Sequence, residues 1–518
     1  MLFCTYALMY EKLLKTVTNL GSPKVLVAGD FMLDVYIYGD ALRISPEAPV
    51  PVLKVIETEY RCGGAASVAA DVAVLGGLPF CLGVIGDDHN GETLVKKLVE
   101  VGADTTGLLK APDRPTTTKQ RLIGLAQHRH RQQLFRMDQE SAEPLSDRQY
   151  EKILQVYKNH LSQADIICLQ DYNKGLFTPA VCKQMIQWAT MANKKVLVDP
   201  SLNSDYSKYA GATAITPNRK EASVAVGFEI KTVEDADRAA GELAEKLKLS
   251  AVVITLDKDG AYLKTEDISE MIPTRPRSVY DVTGAGDMVL ATLAVTLAAN
   301  CDYKTAVQLA NMTGGIEVEK FGAATVTIEE IINEIVGQNR SKSGKVRSVD
   351  SLVAELSWRR KQKETVVFTN GCFDVVHRGH IEFLRFCKQQ GDIVVVGLNS
   401  DSSVRVIKGP ERPINNQYDR AAVLAALETV DYVTIFDEPD PLSLIRKVKP
   451  DILVKGQDWA QKGVVGREFV ESYGGKVILA PLVEGKSSSA TIEKIKSLRT
   501  NRDESEHEKT DYKGHRNA

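Results

Sequence analysis

Asp281-Val282-Thr283-Gly284-Ala285-Gly286-Asp287 is a glycine-rich turn that leads into an apolar helix predicted over residues 288–299. Because Gly284 and Gly286 carry no Cβ, backbone N–H groups can gather around an anion at the start of that helix, where the helix dipole favours negative charge. A carboxylate at Asp287 would then lie beside an anion site, where it can take a proton from a hydroxyl that attacks a phosphate. The other interpretation of these residues is a turn in which Asp287 only caps the helix.

The composition is ordinary for a globular protein with more than one domain. The 518 residues exceed what one core usually holds, so two or three domains are expected. A net charge of −3 gives no reason to expect nucleic acid or an anionic membrane as a partner. The 8 cysteines form no C-x-x-C pair, which favours a reducing cytosol. No apolar run reaches the ~20 residues of a membrane span, and residues 1–10 lack the basic region of a signal peptide.

The chain before the turn alternates between short apolar strands and helices. Strands are predicted over residues 24–29, 80–85, 166–169, 195–198, 214–216 and 252–255, and helices over residues 91–101, 179–192 and 233–247. Such alternation is typical of a mainly parallel, doubly wound α/β sheet. Polar residues follow the strands, where ligands bind such sheets, and this favours catalysis by Asp287 over helix capping: Asp30, Asp34, Asp171, Asp199, Asn218, Glu221 and Asp257.

Three motifs together resemble the ribokinase-like sugar kinase family over about residues 20–335: Gly63-Gly64, Asn218-x-x-Glu221 and Asp281-x-x-Gly-Ala-Gly-Asp287. The resemblance implies a doubly wound sheet with a small β lid, ATP as co-substrate and Mg²⁺. It implies Asp287 as general base, with Gly284, Ala285 and Gly286 as the anion hole for the transferred phosphoryl group. The Mg-nucleotide would lie near six residues, of which Glu221 would act on the metal indirectly: Asn218, Arg219, Lys220, Glu221, Asp257 and Gly260.

Further segments are closer to the heptose 7-phosphate kinases: Gly29-Asp30-x-x-x-Asp34, Arg43-x-Ser45-Pro46-Glu47-Ala48-Pro49 and Asp171-Tyr172-x-Lys174-Gly175. This resemblance implies that Asp30, Asp34, Gly63 and Gly64 hold the sugar. Candidates for the phosphate already on the sugar are basic, although each alone could be a solvated surface charge: Lys119, Arg121, Arg136 and Lys174. Ser67 and Ser201 stand where the family has Asn and Lys, which leaves the contacts at those positions open.

A second domain is predicted after a polar, basic segment at residues 337–345. A helix over residues 349–362 and a strand over residues 365–369 lead to Asn370-Gly371-Cys372-Phe373-Asp374-Val375-Val376-His377-Arg378-Gly379-His380, the junction of a βαβ unit. Gly379 lets a phosphate approach the backbone, and His377 and His380 can donate to its oxygens. Zinc is the competing ligand, but nothing beyond Cys372 and the two histidines offers itself to complete a tetrahedral set.

This histidine segment resembles the nucleotidyltransferases with the His-x-Gly-His signature. The match extends over about residues 345–498 through Lys408-Gly409-x-x-Arg412-Pro413, Lys455-Gly456-x-Asp458 and Ser487-Ser488-Ser489-x-Thr491. The resemblance implies a Rossmann-like domain in which a sugar 1-phosphate attacks the α-phosphorus of ATP, with His377, His380 and Lys408 in catalysis. It implies these nucleotide contacts: Thr369, Gly371, Phe373, Lys455, Ser488 and Ser489.

Both resemblances, in this order, are those of the bifunctional heptose 7-phosphate kinase/heptose 1-phosphate adenylyltransferases, which implies ADP-heptose synthesis for lipopolysaccharide. The predicted domains are residues 1–336 and 346–500, with a linker at 337–345 and a disordered tail at 501–518. A cytoplasmic homodimer is expected, binding small molecules and neither nucleic acid nor membrane. Two alternatives stay open. The substrates could be another sugar phosphate or CTP, or one domain could be a non-catalytic scaffold, which intact Asp287, His377 and His380 oppose.

Overall fold

The computed structural model describes residues 2–125, 131–275, 277, 279–322 and 324–481. The chain divides into two compact units. The first unit is Thr16–Glu334, and the second begins at Ile335 and includes Met1–Lys15, so helix α1 (Leu2–Thr18) belongs mainly to the second unit. Within the ranges just given, every helix is too short or too polar to span a bilayer.

The first unit alternates strands and helices along most of its length. Its strands are β1 (Lys24–Gly29), β2 (Phe31–Ile44), β3 (Pro51–Gly64), β4 (Leu78–Gly86), β5 (Asp104–Ala111), β6 (Thr117–Leu125), β7 (Arg131–Gln139), β8 (Ile166–Gln170), β9 (Lys195–Asp199), β10 (Ala214–Ile215), β11 (Ala251–Thr255), β12 (Gly260–Thr265) and β13 (Ser269–Pro273). Its helices are α2 (Ala65–Val74), α3 (His89–Glu100), α4 (Asp147–Leu161), α5 (Pro179–Met191), α6 (Arg219–Val226), α7 (Val233–Leu247), α8 (Ala285–Ala298), α9 (Tyr303–Glu317) and α10 (Ile328–Ser343), which continues past the end of this unit.

The main sheet of this unit has the order β13-β12-β11-β10-β9-β8-β1-β4-β5. Its strands are parallel from β11 to β5, whereas β12 and β13 are antiparallel to their neighbours. Strands such as β8 and β1 are apolar and buried along nearly their whole length, which is the pattern expected when both faces of a parallel sheet are covered. This confirms the predicted doubly wound sheet and places the ends of β8 and β9 side by side.

A smaller sheet of order β3-β2-β6-β7 forms the predicted β lid. β2 pairs antiparallel with β3 and parallel with β6. In this register Asp34 lies opposite Arg61 on one side and Lys119 on the other, and Tyr36 lies opposite Arg121. Because directly opposed residues point to the same face, these charged side chains share one face of the lid.

The second unit is a parallel α/β sheet of order β16-β15-β14-β17-β18. Val367 and Phe368, adjacent in β14, belong to separate buried apolar clusters, as expected when both faces of the sheet are covered. This confirms the predicted Rossmann-like βαβ start. Its elements after α10 are α11 (Val349–Lys361), β14 (Val366–Gly371), α12 (Arg378–Gln389), β15 (Ile393–Asn399), α13 (Asp401–Lys408), α14 (Gln417–Ala426), β16 (Tyr432–Phe436), α15 (Leu442–Val448), β17 (Ile452–Gly456), α16 (Arg467–Ser472) and β18 (Lys476–Ala480).

The segment predicted as a linker differs from the expectation. Helix α10 runs to Ser343, through most of residues 337–345, although the predicted helix ended at Val336. The apolar face of α10 is buried at Ile331, Ile332, Ile335 and Val336, and an isolated glycine such as Gly337 costs only about 1 kcal/mol inside a helix. Packing at the start of the helix therefore outweighs the loop signal of the polar residues that follow. The predicted tail, residues 501–518, lies outside the described residues.

Candidate active sites

The glycine-rich turn ends where α8 begins. Gly284 is the N-cap residue of α8 and has a positive φ of 95°, a left-handed conformation that glycine adopts at no steric cost. The first N–H groups of the helix, beginning at Ala285 and Gly286, have no intrahelical acceptor. Asp287 lies in the first turn and is 4% exposed. The turn thus brings together a set of N–H donors and a buried carboxylate, as the sequence predicted.

Two residues that the sequence analysis did not select contact Asp287. The amide nitrogen of Gln170, at the end of β8, donates to Asp287 Oδ1 at 2.7 Å and to Asp199 Oδ2 at 2.8 Å. The hydroxyl of Tyr172 donates to the same Asp287 oxygen at 3.0 Å. Burial and the nearby charge of Asp199 raise the pKa of Asp287 well above its usual range. The site therefore holds a carboxylate with a high proton affinity, as proton abstraction near neutral pH requires.

The predicted nucleotide residues meet at the start of α6. Asn218 and Glu221 form a reciprocal capping box, in which each side chain accepts the backbone N–H of the other at 2.9 Å. Arg219 pairs with Asp257 at 2.9 Å and donates to the Leu256 carbonyl at 2.9 Å. The cap holds Glu221 in one place, and Arg219 ties it to the turn before β12.

The remaining two residues of this group have separate explanations. Lys220 is exposed. Gly260 has a φ of 114°, and a Cβ there would lie 2.3 Å from the Ile272 carbonyl oxygen, so close strand packing alone requires glycine.

Burial, and after it the charge of Asp199, raises the pKa of Glu221 to about 7. The carboxylates of Glu221 and Asp199 lie within electrostatic reach of each other, and carboxylate oxygens are ligands that suit a hard divalent ion.

The predicted sugar residues separate into two groups. Asp34 on the lid forms an ion pair with Arg121 at 3.0 Å, and a Cβ at Gly63 would lie 3.0 Å from Asp34 Cγ. Asp30 instead accepts the backbone N–H groups of Tyr172 at 2.8 Å and Lys174 at 3.2 Å. Burial, followed by the charge of Asp171, raises the pKa of Asp30 to about 7. Asp34 is thus placed at the lid face, whereas Asp30 holds the loop that carries Tyr172.

Gly64 packs against the backbone of Asp30. Its φ is 55°, and a Cβ there would lie 2.7 Å from the Asp30 carbonyl oxygen. The Ala65 N–H donates to that carbonyl at 3.1 Å, so the start of α2 is fixed against the end of β1. Glycine is required here by backbone packing, whatever the ligand is.

The basic candidates for a sugar phosphate differ in their partners. Lys174 pairs with Glu140 at 2.8 Å, and Arg136 pairs with Asp138 at 2.9 Å. The ammonium of Lys119 lies 4.9 Å from the ring centroid of Tyr172, which places it next to the hydroxyl that donates to Asp287. Farther along the lid, a cavity of about 310 Å³ is lined by Tyr36, Arg121, Ile123, Arg131, Gln133, Tyr280, Asp281 and Phe321.

In the second unit, the histidine pair forms the start of α12. His377 is the N-cap residue, and its Nδ1 accepts the Gly379 N–H at 3.1 Å. His380 Nδ1 accepts the His377 N–H at 3.4 Å, and the two rings stack with centroids 4.0 Å apart. Since both Nδ1 atoms act as acceptors, each neutral ring carries its proton on Nε2. The histidines can therefore donate from Nε2 without being charged.

Burial, followed by the charges of His377 and Lys408, lowers the pKa of His380 to about 4. Lys408 is the last residue of α13 and is exposed. The second unit thus places the His380 ring within electrostatic reach of the Lys408 cation. Burial raises the pKa of the Cys372 thiol, and the charge of Lys408 acts in the opposite direction, so Lys408 also lies within electrostatic reach of Cys372.

The other predicted nucleotide contacts lie around the end of β14. Thr369 is fully buried, and Phe373 has a φ of 43° with its ring 5.1 Å from that of His380. A Cβ at Gly371 would lie 3.1 Å from the Phe373 ring. Lys455 donates to the side chain and carbonyl of Asn370, and burial lowers its pKa to about 8. Ser488 and Ser489 lie outside the described residues.

Arg420 is a site residue that sequence reasoning missed. Its guanidinium donates to the carbonyls of Cys372 at 2.6 Å and Asn399 at 2.9 Å, and pairs with Asp401 at 2.7 Å. It is 1% exposed. One buried arginine therefore joins the loop before the histidines to the end of β15 and the start of α13, which carries Lys408.

The zinc alternative finds no ligand cluster. Across residues 2–481, apart from the undescribed gaps, no group of three or more His, Cys, Asp or Glu side chains is arranged to hold a metal ion. Both Nδ1 lone pairs accept backbone N–H groups, and in the tautomer that goes with these contacts Nε2 carries the proton, so neither nitrogen of a neutral ring offers a lone pair to a metal ion. The geometry favours a donor role for the pair.

Comparison with protein families matches both units. Residues 22–331 match the pfkB family carbohydrate kinases, and residues 368–493 match the cytidylyltransferase-like family. The bifunctional protein HldE of Trichlorobacter lovleyi is 42% identical over 488 residues, which is 94% of this chain and 98% of that protein. The protein of the same name from Campylobacter fetus is 44% identical over 472 residues, with 91% and 99% covered.

Solved structures support the fold of the first unit. Phosphofructokinase-2 from Escherichia coli, in complex with substrates and products, aligns with a TM-score of 0.52 at 20% identity, covering 62% of this chain and 100% of that chain. Its tetrameric inhibited form aligns with a TM-score of 0.51 at 20% identity, covering 61% and 99%. At this identity the likeness concerns the fold alone.

Proposed function

The chain belongs to the pfkB carbohydrate kinases and to the bifunctional HldE proteins, and from this membership we propose that it carries out two steps of ADP-heptose synthesis. The first unit transfers the γ-phosphoryl group of ATP to O1 of D-glycero-D-manno-heptose 7-phosphate. The second unit joins a heptose 1-phosphate to the adenylyl group of ATP and releases pyrophosphate. The observation that carries the kinase half is the buried Asp287 carboxylate at the N-terminus of α8.

In the kinase step, the sugar hydroxyl gives its proton to Asp287 while its oxygen forms a bond to the γ-phosphorus. The bond from that phosphorus to the β,γ-bridging oxygen breaks, and ADP leaves with the electron pair. The N–H groups at the start of α8 stabilise the charge on the transferring phosphoryl oxygens. Asp34 and Lys119, on the lid face, would orient the sugar above the base.

Magnesium fits the acidic surroundings of the nucleotide end. Glu221, held by its cap with Asn218 beside the Asp199 charge, would act on the ion indirectly. When bound, Mg²⁺ neutralises phosphate charge. The chain itself supplies the Glu221 carboxylate, the turn before β12 that Arg219 contacts, and Asp287 as the base.

In the transferase step, an oxygen of the sugar 1-phosphate attacks the α-phosphorus of ATP, and the bond to the α,β-bridging oxygen breaks. Charge grows on the pyrophosphate as it leaves. His377 and His380 would donate from Nε2 to phosphate oxygens, and Lys408 would neutralise the growing charge. This step needs no protein nucleophile, because the attacking phosphate is already ionised.

The test uses each half as the control of the other. The full chain is incubated with heptose 7-phosphate and ATP, and products are identified by mass and phosphorus NMR. Asp287→Asn removes proton acceptance, which is typically worth ~10²–10⁴-fold, so kinase turnover should fall in that range. Adenylyl transfer to supplied heptose 1-phosphate should stay at the wild-type rate. A variant with wild-type kinase turnover would remove Asp287 from the mechanism.

A second candidate concerns the nucleotide of the transferase half, because residues 368–493 match the cytidylyltransferase-like family. The same assay with CTP in place of ATP decides between them, since the product would be a CDP-sugar. We further propose that the protein is a cytoplasmic homodimer, and that each unit keeps its activity without the other although α10 runs through the segment predicted as a linker. Sedimentation would measure the first, and a chain split near Ser343, assayed for both activities, would test the second.

A further inference from the structure

Gln170 lies between two buried carboxylates, and we propose that it is a positioning residue of the kinase site that orients Asp287 and stabilises its charged form. The inference rests on the proposed kinase function and adds to it a residue that the sequence motifs leave out. Gln170 is the last residue of β8, and Asp199 is the last residue of the neighbouring strand β9. A neutral amide and a carboxylate therefore lie side by side at this edge of the sheet.

The contacts of Gln170 use both hydrogens of its amide nitrogen. One goes to Asp287 Oδ1 at 2.7 Å and the other to Asp199 Oδ2 at 2.8 Å. Its Oε1 is buried and finds no hydrogen-bond partner among the described residues. When both carboxylates are ionised, the amide keeps this orientation, because a flipped amide would place Oε1 against two negative charges. A buried, unsatisfied carbonyl is costly, so packing alone does not explain why Gln170 donates to both carboxylates. We call this pair of hydrogen bonds from one amide nitrogen the fork.

The fork also selects which oxygen of Asp287 meets the substrate. Oδ1 accepts from Gln170 and from the Tyr172 hydroxyl at 3.0 Å. In the described part of the chain, no donor contacts Oδ2 of Asp287. Two donors on one side of the carboxylate fix its plane and leave Oδ2 for the hydroxyl of the sugar. A base held in this way reaches its proton without first losing rotational freedom.

The electrostatic effect follows from the charges around Asp287. The charges of Asp199 and Asp34 disfavour the ionised form of Asp287, whereas the hydrogen bond from Tyr172 and the charge of Lys119 favour it. Besides burial, the charge of Asp287 in turn raises the pKa of Asp71 and Glu317, so these acidic groups also repel its charge. A hydrogen bond donated to a carboxylate favours the ionised form. Gln170 donates to both members of the Asp199–Asp287 pair, so it offsets their repulsion without adding a charge of its own.

The experiment is the pH profile of kinase kcat/KM in the full-length chain, with heptose 7-phosphate and Mg-ATP. Gln170→Leu keeps the volume and removes the donors, so the acidic limb should move up by about one to two pH units. Tyr172→Phe, which removes one donor from Asp287 alone, should move it in the same direction by less. Asp199→Asn removes a neighbouring charge, so the limb should move down. Cys168→Ala, on the same face of β8, removes packing without a carboxylate contact and should leave the limb in place.

The outcomes separate the inference from the function on which it rests. A folded Gln170→Leu variant, with wild-type adenylyl transfer and an unmoved acidic limb, overturns the positioning role while leaving the kinase intact. If Gln170→Leu does not fold, Asp199→Asn decides, because an unmoved limb there means that the two carboxylates are not coupled. A wild-type chain that phosphorylates no sugar phosphate rejects the proposed function, and the inference falls with it.

Discussion

Replacing His380 tests how the second unit stabilises the leaving pyrophosphate. His380→Ala removes the Nε2 donor, and loss of one preorganised donor of this kind typically lowers turnover by ~10²–10³-fold. The structural cost is smaller, because the bond that its Nδ1 accepts from the His377 N–H is long, at 3.4 Å, and a lost cap costs about 1 kcal/mol. Adenylyl transfer should therefore fall by that factor while the melting temperature changes little. Kinase turnover should not change.

The same residue gives a pH prediction whose sign follows from its environment. The pKa of His380 is lowered to about 4, whereas an unfolded histidine titrates near ~6.5. The folded unit therefore binds this proton more weakly than the unfolded chain. The stability that depends on the neutral ring is complete above about pH 6.5 and is lost as the pH falls towards about 4. Between those values and upward, the ring stays neutral in the folded enzyme and remains a donor.

The assay measures adenylyl transfer from pH 5.5 to 8 for the wild type, His380→Ala and His380→Asn, whose amide can donate but does not titrate. Wild type and His380→Asn should have profiles of the same shape. His160→Ala, a histidine stacked on Phe80 in the first unit, is the matched control and should leave transfer unchanged. A wild-type limb near pH 6.5 that disappears in His380→Asn would refute the neutral donor. Stoichiometric zinc with chelator-induced melting would refute the donor role altogether.

Two further predictions concern residues that support the second unit. Arg420→Met breaks a buried network that includes Asp401, so the unit should lose about 3–5 kcal/mol of stability and adenylyl transfer should fail on warming before kinase activity does; equal melting of variant and wild type would contradict this. Leu14→Ala, at a position 2% exposed in the segment that joins the second unit, should cost about 2–5 kcal/mol, measured by denaturant melting, whereas an effect confined to kinase activity would place α1 with the other unit.

The parts of the fold that sequence reasoning predicted well are those with local causes. Helix α7 occupies Val233–Leu247, as its apolar periodicity predicted, and β8 and β9 begin at the predicted residues. The turn at Gly284 was predictable because only glycine adopts its positive φ without strain. Asp34, Asp287 and the histidine pair were selected because acidic and histidine side chains after strands are typical of catalytic sites. In each case, a few neighbouring residues carry the signal.

Sequence reasoning did not select Gln170 and Arg420, because their partners are distant in sequence. Gln170 contacts Asp287, 117 positions away, and a neutral amide at the end of an apolar strand has no local pattern that marks it. Arg420 contacts the carbonyl of Cys372, 48 positions earlier, from inside a helix where an arginine is expected to face solvent. Asp30 was predicted to hold the sugar, which stays a prediction, and its carboxylate accepts backbone N–H groups of the loop after β8. A single sequence contains no signal for which donor a buried carboxylate meets.

Burial has opposite effects on the two reactive groups, and this difference suits the two reactions. It raises the pKa of Asp287, because a buried carboxylate loses the hydration of its charge, and it lowers the pKa of His380 for the same reason. A base gains from the first shift, since its affinity for the sugar proton increases. A donor gains from the second shift, since a neutral ring keeps its Nε2 proton and is not repelled by the positive charge of Lys408. The first site then needs neutral donors such as Gln170 and Tyr172 to keep its base ionised. The second needs donors to the two Nδ1 atoms, so that the ring protons stay on Nε2, and the backbone N–H groups of His377 and Gly379 supply them.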